Sequence, residues 1–424
     1  MARADGKRVA AAAVAADGER AERDAGFWQR LKDEMKKAAP QLGIDKIGVA
    51  YADPFRELKE RLIRRRELGR ECGFEERDLD KRTDPALLFP EPRSIIAVAV
   101  AYPAKLRQPP VSAPGARRGI LSRSAWGEDY HRVVGRRLER LARWLTERVP
   151  EARTLAMTDT GALVDRAVAE RAGIGWSGKN CSIITPEFGS WVYLGEMITN
   201  LPLPPDQPIE EACGSCSRCL EACPTGALVG PGELDARRCI SFLTQTKDAV
   251  DESLIGKIGN RLYGCDTCQV VCPVNRGLDA RHHEELLPDP EVVKPLLRPL
   301  LTMGNREFKE KFGRSAAAWR GRKPIQRNAL IALGHFRDRE AVPDIVRVLR
   351  EDPRPVLRVT AAWALGNIGG AEAEAALRDA AARDADPDVR AAAERALARL
   401  APDARPPRGA RDSSPQTAEG GEPS

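Results

Sequence analysis

Eight of the ten cysteines fall between residues 213 and 273, and their spacing constrains this chain more than any other feature. Cys213, Cys216, Cys219 and Cys223, followed by Pro224, read C-x2-C-x2-C-x3-C-P. Bacterial ferredoxins use that spacing to place three thiolates on one 4Fe-4S cubane and hand the fourth to a second cluster. Cys265, Cys268 and Cys272, followed by Pro273, repeat the C-x2-C-x3-C-P half and need one more thiolate, which the isolated Cys239 can supply. Because the fourth cysteine of each run crosses over, Cys213, Cys216, Cys219 and Cys272 are expected to hold one cluster, and Cys223, Cys239, Cys265 and Cys268 the other. Zinc also accepts four thiolates, but a zinc pair has no need of the x3-C-P ending, so iron–sulfur is the stronger reading. Thiols grouped as ligands, instead of scattered in pairs, suit a reducing compartment, and the chain is expected in the cytoplasm.

At 424 residues there is room for two to four domains. With 42% hydrophobic and 31% charged residues the composition is that of a soluble globular protein, and no apolar run approaches the roughly 20 residues of a membrane span. Val9 to Ala16 faintly imitates a signal peptide, but the run is mostly alanine and a charged stretch follows, so residues 1–24 read as a disordered tail. Helical spacing begins near Phe27. Ile47 to Tyr51 reads as a strand and Phe55 to Leu68 as a basic helix. Ser94 to Tyr102 is a near-continuous β-branched run of the kind buried on both faces. A helix over Tyr130 to Val149, strands over Thr154 to Thr160 and Trp191 to Thr199, and a helix over Leu163 to Ala172 complete an α/β domain at 25–200. Pro202, Pro204, Pro205 and Pro208 lead into a ferredoxin-like two-cluster domain at 201–285. Gly173, Gly175 and Gly178 match G-x-G-x-x-G in letters only: a helix precedes and a strand follows, the reverse of a dinucleotide site. These glycines are expected to let backbone amides approach a large ligand.

Residues 286–325 form a basic connector. Between Lys294 and Arg327 ten Lys or Arg stand against two Glu, and Phe308, Phe312 and Trp319 interleave with the cations, which points to an acidic partner. From Arg327-Asn-Ala-Leu-Ile-Ala-Leu-Gly a pattern recurs at Arg358 and Arg390, offsets of 31 and 32 residues. That period predicts a HEAT-like helical repeat over 326–400, followed by a second disordered tail, 401–424. The fold class is α+β multidomain.

The cysteine block, Asp159-Thr-Gly, Ala172-Gly-Ile-Gly-Trp-Ser-Gly-Lys-Asn180, Gly189-Ser-Trp-Val-Tyr-Leu-Gly-Glu196 and the repeat tail together resemble the epoxyqueuosine reductase (QueG) family over about residues 27 to 400. The resemblance implies two 4Fe-4S clusters and base-off cobalamin. It also implies an α/β cobalamin-binding domain and reduction of epoxyqueuosine to queuosine in the anticodon loop of tRNA, the final step of queuosine synthesis. Asp159 would be the general acid, since expelling an epoxide oxygen requires a proton; without the resemblance, capping the next turn is the commoner role for such an Asp. Arg82, Ser182, Ile183, Thr185 and Leu194 would contact the corrinoid, and Ser241 and Asp266 would lie between cluster and cobalt. Ser122 stands where some members carry a cysteine that can lie over the cobalt, and Ala162 and Asp165 stand where many carry Pro and Glu.

Cys72 and Cys181 read as small buried residues, His131 as facing the cofactor, and His282 and His283 as surface residues. Lys247, Lys309, Lys311, Arg322 and Lys323 are expected to neutralise tRNA phosphates, in a monomer supplied by an external electron donor. Two other functions compete. One is a corrinoid reductive dehalogenase-like enzyme, which usually carries an exported twin-arginine leader and lacks a repeat tail. The other is a non-catalytic ferredoxin-type electron carrier whose repeat binds a protein partner.

Overall fold

In the computed structural model, which describes residues 24–401, four strands form the first sheet: β1 (Lys46–Tyr51), β2 (Ser94–Ala101), β3 (Thr154–Met157) and β4 (Val192–Thr199). Their order is β1-β2-β4-β3 and every neighbour is antiparallel. The two expected tails lie outside the described residues, apart from their innermost positions. All eight residues of β2 are buried, because successive side chains point to opposite faces and both faces are covered. Two helices flank β1 in sequence, α1 (Ala25–Ala38) and α2 (Arg56–Glu67). Ile96, Val98 and Val100 meet Leu31 and Met35 of α1 and Leu138, Leu141 and Leu145 of α3 (Tyr130–Arg148). Ile95, Ala97 and Ala99 meet Val168 and Ala169 of α4 (Asp165–Arg171) on the other face.

Two local expectations change. β3 ends at Met157 instead of Thr160, because Asp159 takes φ +53°, a left-handed conformation that no strand accommodates. The glycines of the 173–178 loop do admit a close backbone, but it is the chain's own. A Cβ at Gly173 (φ +68°) would lie 2.4 Å from the Gln207 carbonyl oxygen, and one at Gly175 2.3 Å from that of Ile184. They close the small hairpin of Trp176–Ser177 on Ile183–Ile184.

The cysteine segment contains only short helices, among them α5 (Arg218–Glu221), α6 (Ile240–Gln245) and α7 (Thr267–Val270), and α5 packs on α7. The stretch read as a basic connector is folded: α8 (Leu297–Thr302) and α9 (Asn305–Phe312) bury Leu297, Leu300, Phe308 and Phe312 in one core with the repeat. The repeat is built of α10 (Arg322–Phe336), α11 (Val342–Glu351), α12 (Pro355–Ile368), α13 (Ala371–Arg383) and α14 (Pro387–Leu400).

The recurring arginine has a definite job. Arg358 forms a two-pronged pair with Asp384, both contacts 2.9 Å, and Arg390 donates to the Asp384 carbonyl at 2.7 Å. Arg327, at the equivalent place in the first copy, donates instead to the carbonyls of Leu243, Thr246 and Asp248 at the end of α6. In the first copy the recurring arginine thus ties the repeat to the cysteine segment and not to the next repeat. No helix among the described residues is long and apolar enough to cross a membrane.

Candidate active site

Asp159 stands on the turn beyond β3 with its side chain 63% exposed. Tyr130, the first residue of α3, donates its hydroxyl to Asp159 Oδ2, and His131 Nε2 lies 3.5 Å from the same oxygen. Asp129 caps α3, accepting the His131 backbone N–H at 3.1 Å and contacting the ring Nδ1 at 2.7 Å. Burial opposes a charged imidazole there, but the carboxylates of Asp129 and Asp159 outweigh it and raise His131 to about 9. The ring is therefore a cation at neutral pH. Its hydrogen bond, with that of Tyr130, holds the Asp159 carboxyl below its ordinary range. Under the turn, the Asp159 N–H donates to Asp165 Oδ2 at 2.8 Å, and burial raises the Asp165 carboxyl to about 6.

Behind Asp159 runs a wall of rings. Tyr130 stacks on Tyr193 with centroids 4.6 Å apart, Tyr193 packs on Tyr102 at 4.4 Å, and His131 stacks on Tyr130 at 4.1 Å. Gln269 of α7 donates to the Ser190 carbonyl at 2.9 Å and comes within 3.5 Å of the Tyr102 hydroxyl. The wall therefore connects the second cysteine run to Asp159. Sequence reasoning did not pick out Tyr102, Tyr130, Tyr193 or the buried Glu196. Each lies in a segment read for its secondary structure and not for its side chain, and contacts among residues so far apart in the chain leave no trace in spacing.

None of the eight block cysteines forms a disulfide. Burial raises Cys219, and like charge on Cys213 and Cys272 adds to it. Burial raises Cys239 to about 11, with Cys265 and Cys223 contributing; Cys268 is raised well above its usual value by burial, then by Cys265, Cys239, Cys223 and Cys219. The two cysteine runs and Cys239 thus converge on one neighbourhood of thiols. Lys179 Nζ ties the first run to the glycine loop through the carbonyls of Gly214 and Cys216.

The remaining candidates divide. Arg82 is only 9% exposed and its Nη1 has no hydrogen-bond partner. The Ser122 hydroxyl is engaged by Asp266 at 2.5 Å and Ser124 at 3.1 Å, and Asp266 also accepts from Arg123 N and Nη1. Asp266, half-buried, ties residues 122–124 to the second cysteine run. Ile183 lies in the sheet core, and the Thr185 hydroxyl, also buried, bonds within its own turn to Gly189 O and Phe188 N. Both side chains face inward because the hairpin packs against α4, which leaves only their backbone for a ligand. Ser182 and Leu194 are half-buried, and the Ser241 hydroxyl accepts from Gln245 at 3.2 Å. Cys72 and Cys181 are half-buried. His283 departs from the surface reading: its Nε2 meets Asp45 at 2.8 Å and its Nδ1 faces Arg137 at 3.1 Å, while the exposed His282 reaches the other Asp45 oxygen at 2.6 Å.

Lys247 and Lys309 are exposed, and Lys311, Arg322 and Lys323 are partly so. Lys247 and Lys323 line one cleft of about 380 Å³ between the cysteine segment and helices α12 and α14. Of the three connector aromatics only Trp319 offers a face, since Phe308 and Phe312 are core residues. Trp319 is 52% exposed and meets Phe74, 40% exposed, with ring centroids 5.3 Å apart. Arg320 lies over both rings at 4.8 and 5.0 Å, and Trp319 Nε1 donates to Gln245 at 2.8 Å.

Cluster-ligand thiols joined by a packed wall to an exposed, proton-bearing Asp–His–Tyr group define an iron–sulfur oxidoreductase. The family described as "Epoxyqueuosine reductase QueG, DUF1730" matches residues 82–160, a 4Fe-4S double cluster binding domain matches 212–275, and HEAT repeats match 316–398. The chain belongs to the epoxyqueuosine reductase family, which is cobalamin and iron–sulfur dependent. It is 57% identical over 374 residues to the epoxyqueuosine reductase of Bacillus cereus, covering 88% of this chain and 98% of that relative. It is 54% identical to that of Bacillus subtilis over 368 residues, 87% and 95% of the two chains. A solved epoxyqueuosine reductase carrying an epoxyqueuosine-modified tRNA-Tyr stem loop superposes with a TM-score of 0.86 at 54% identity, over 88% of this chain and 99% of that one.

Proposed function

We propose that this chain reduces epoxyqueuosine to queuosine in the anticodon loop of tRNA, with Asp159 giving the proton that lets the epoxide oxygen leave. The observation that carries this reading is the Asp159 turn, lifted from the sheet edge by its positive φ and gripped by Tyr130 and His131, in a chain of this family. Conversion of an epoxide to an alkene and water takes two electrons and two protons. Bound cobalamin supplies the low-valent cobalt that passes reducing equivalents to the epoxide, and the protein's work is to position, protonate and exclude water. His131, already charged, is the proton store: Asp129 fixes its Nδ1, and its Nε2 faces Asp159, which relays the proton to the substrate oxygen.

Arg82 suits the corrinoid, since a buried cationic donor without a partner calls for an acceptor such as an amide or phosphate oxygen. Ser182 and Leu194, and the backbone at Ile183 and Thr185, would line the same cofactor. Ser241 would face it from α6, with Ser122 and Asp266 as the brace beneath. Cys213, Cys216, Cys219 and Cys272 would hold the cluster nearer the surface loop, and Cys223, Cys239, Cys265 and Cys268 the other, fed by an external electron donor. Lys247, Lys309, Lys311, Arg322 and Lys323 would meet phosphates, and the exposed Phe74–Trp319–Arg320 surface would stack an unpaired loop base. The enzyme would work as a cytoplasmic monomer.

The deciding experiment incubates reconstituted wild type and Asp159→Asn with epoxyqueuosine-containing tRNA and a reductant, then analyses nucleosides. Turnover is expected to fall about 10²- to 10⁴-fold with cofactor content unchanged; full turnover by the variant would remove Asp159 from the role of acid.

A further inference from the structure

Glu196 occupies the middle of β4, between Ala97 of β2 and Met157 of β3, one step short of the Thr158–Asp159 turn. It is 1% exposed, and neither carboxyl oxygen has an aligned hydrogen-bond partner. The charges that bear on it come from Asp165 and then Asp159, both negative. An ionised carboxylate in such a place is strongly disfavoured and takes up a proton instead.

Asp165, the first residue of α4, is the charged group that bears most on it, and Asp165 Oδ2 already accepts the Asp159 N–H at 2.8 Å. Two carboxyl groups side by side cannot both ionise at neutral pH. One proton between them turns their repulsion into a hydrogen bond and leaves Asp165 in place to accept the amide. We propose that Glu196 is a neutral carboxylic acid that shares its proton with Asp165, and that through Asp165 it fixes the backbone turn presenting Asp159. Glu196 is then a positioning residue for the reduction, a role that rests on Asp159 being the acid.

The other groups around this pair are accounted for. Arg166 bears on Asp165 from the outer side of α4. His131 and Tyr130 bear on Asp159 from α3. The neighbouring Thr158 hydroxyl is buried, neutral and without a partner. Were Glu196 ionised, repulsion would push Asp165 away, and the Asp159 N–H would lose the acceptor that holds its turn. Its carboxylate would then swing away from Tyr130 and His131.

The test uses the holoenzyme with Glu196→Gln, which keeps a neutral donor, and Glu196→Leu, which removes it. The infrared difference spectrum between wild type and Glu196→Gln at neutral pH should contain the carbonyl stretch of a protonated carboxyl group. Glu196→Leu should lower kcat roughly 10- to 100-fold, leave KM for tRNA and corrinoid content unchanged, and move the acid limb of the pH–rate profile. Glu196→Gln should restore most of that loss. Absence of the protonated-carboxyl band overturns the proposal, as does a Glu196→Leu enzyme with wild-type kcat and pH profile. Should Glu196→Leu fail to fold, the band decides alone. The band does not depend on turnover, so a failure of Asp159 as the acid is distinguishable from a failure of the shared proton.

Discussion

In the repeat, helices α10 to α14 bury Leu330, Leu333, Ile345, Leu349, Leu357, Leu365 and Leu377 in one continuous apolar core. Between residues 213 and 273 the helices are four to six residues long, and the apolar core comprises Ile240, Leu243, Ile255 and Ile258 completed by Ile331 of α10. Helices that short do not persist without outside support. The stabilisation that the repeat draws from packing must come, in the cysteine segment, from the clusters its thiols hold and from its seam with α10. Near Asp159 the contrast recurs in another form: a left-handed aspartate, buried carboxyls and an imidazolium stand where the repeat would have alanine and leucine.

Cluster removal is the strongest way to break this comparison. Chelation under oxidising conditions should abolish turnover and expose residues 213–273 to protease, while the circular dichroism of α10 to α14 survives. Loss of the whole helical signal would mean that the two regions stand or fall together. The seam comes next. Arg327 is 1% exposed, and burial lowers it to about 10; its guanidinium satisfies three carbonyls at the end of α6. Arg327→Ala leaves those oxygens buried and unpaired, so a loss of about 3–5 kcal/mol is expected, read as an earlier urea transition of the cysteine segment than of the repeat. A single transition displaced by less than about 1 kcal/mol would show the seam to be dispensable.

The same contrast explains what could be read from the chain. The repeat was visible as a period because the Ala and Leu positions of each copy answer to the same local packing, even where the arginine finds a different partner. The double-cluster segment was visible because coordination fixes spacing. β2 was visible because a strand buried on both faces is apolar throughout. What escaped is long-range. The ring wall joins Tyr102, Tyr130 and Tyr193 across a sheet, Glu196 reads as one more acidic residue in a strand, and Asp266 turns inward only because Ser122 and Arg123 meet it there. The basic connector misled for a related reason: its cations announce a surface, while its phenylalanines serve the core.

Trp319, on the chain between the cysteine segment and the repeat, donates to Gln245 of α6 and packs on Phe74 of the first domain. If that surface stacks an unpaired base, Trp319→Ala should weaken binding of an epoxyqueuosine stem loop by about 1–3 kcal/mol without changing the salt dependence. Lys247→Ala with Lys323→Ala should instead flatten the salt slope. Equal affinity for all three proteins would exclude this face from RNA binding.

The smallest effect belongs to His131 and falls in the first domain alone. Its folded value, about 9, exceeds the ordinary 6.5. The stability it lends is therefore complete below about pH 6.5 and disappears as pH rises through about 9, the reverse of a carboxylate's behaviour. With the ring partly exposed the contribution should be about 1 kcal/mol. Comparing wild type with His131→Asn across that range should show the gap in the first domain's unfolding close as pH rises, while the repeat's transition stays level. A gap independent of pH would mean that His131 acts there by stacking on Tyr130 and not by charge.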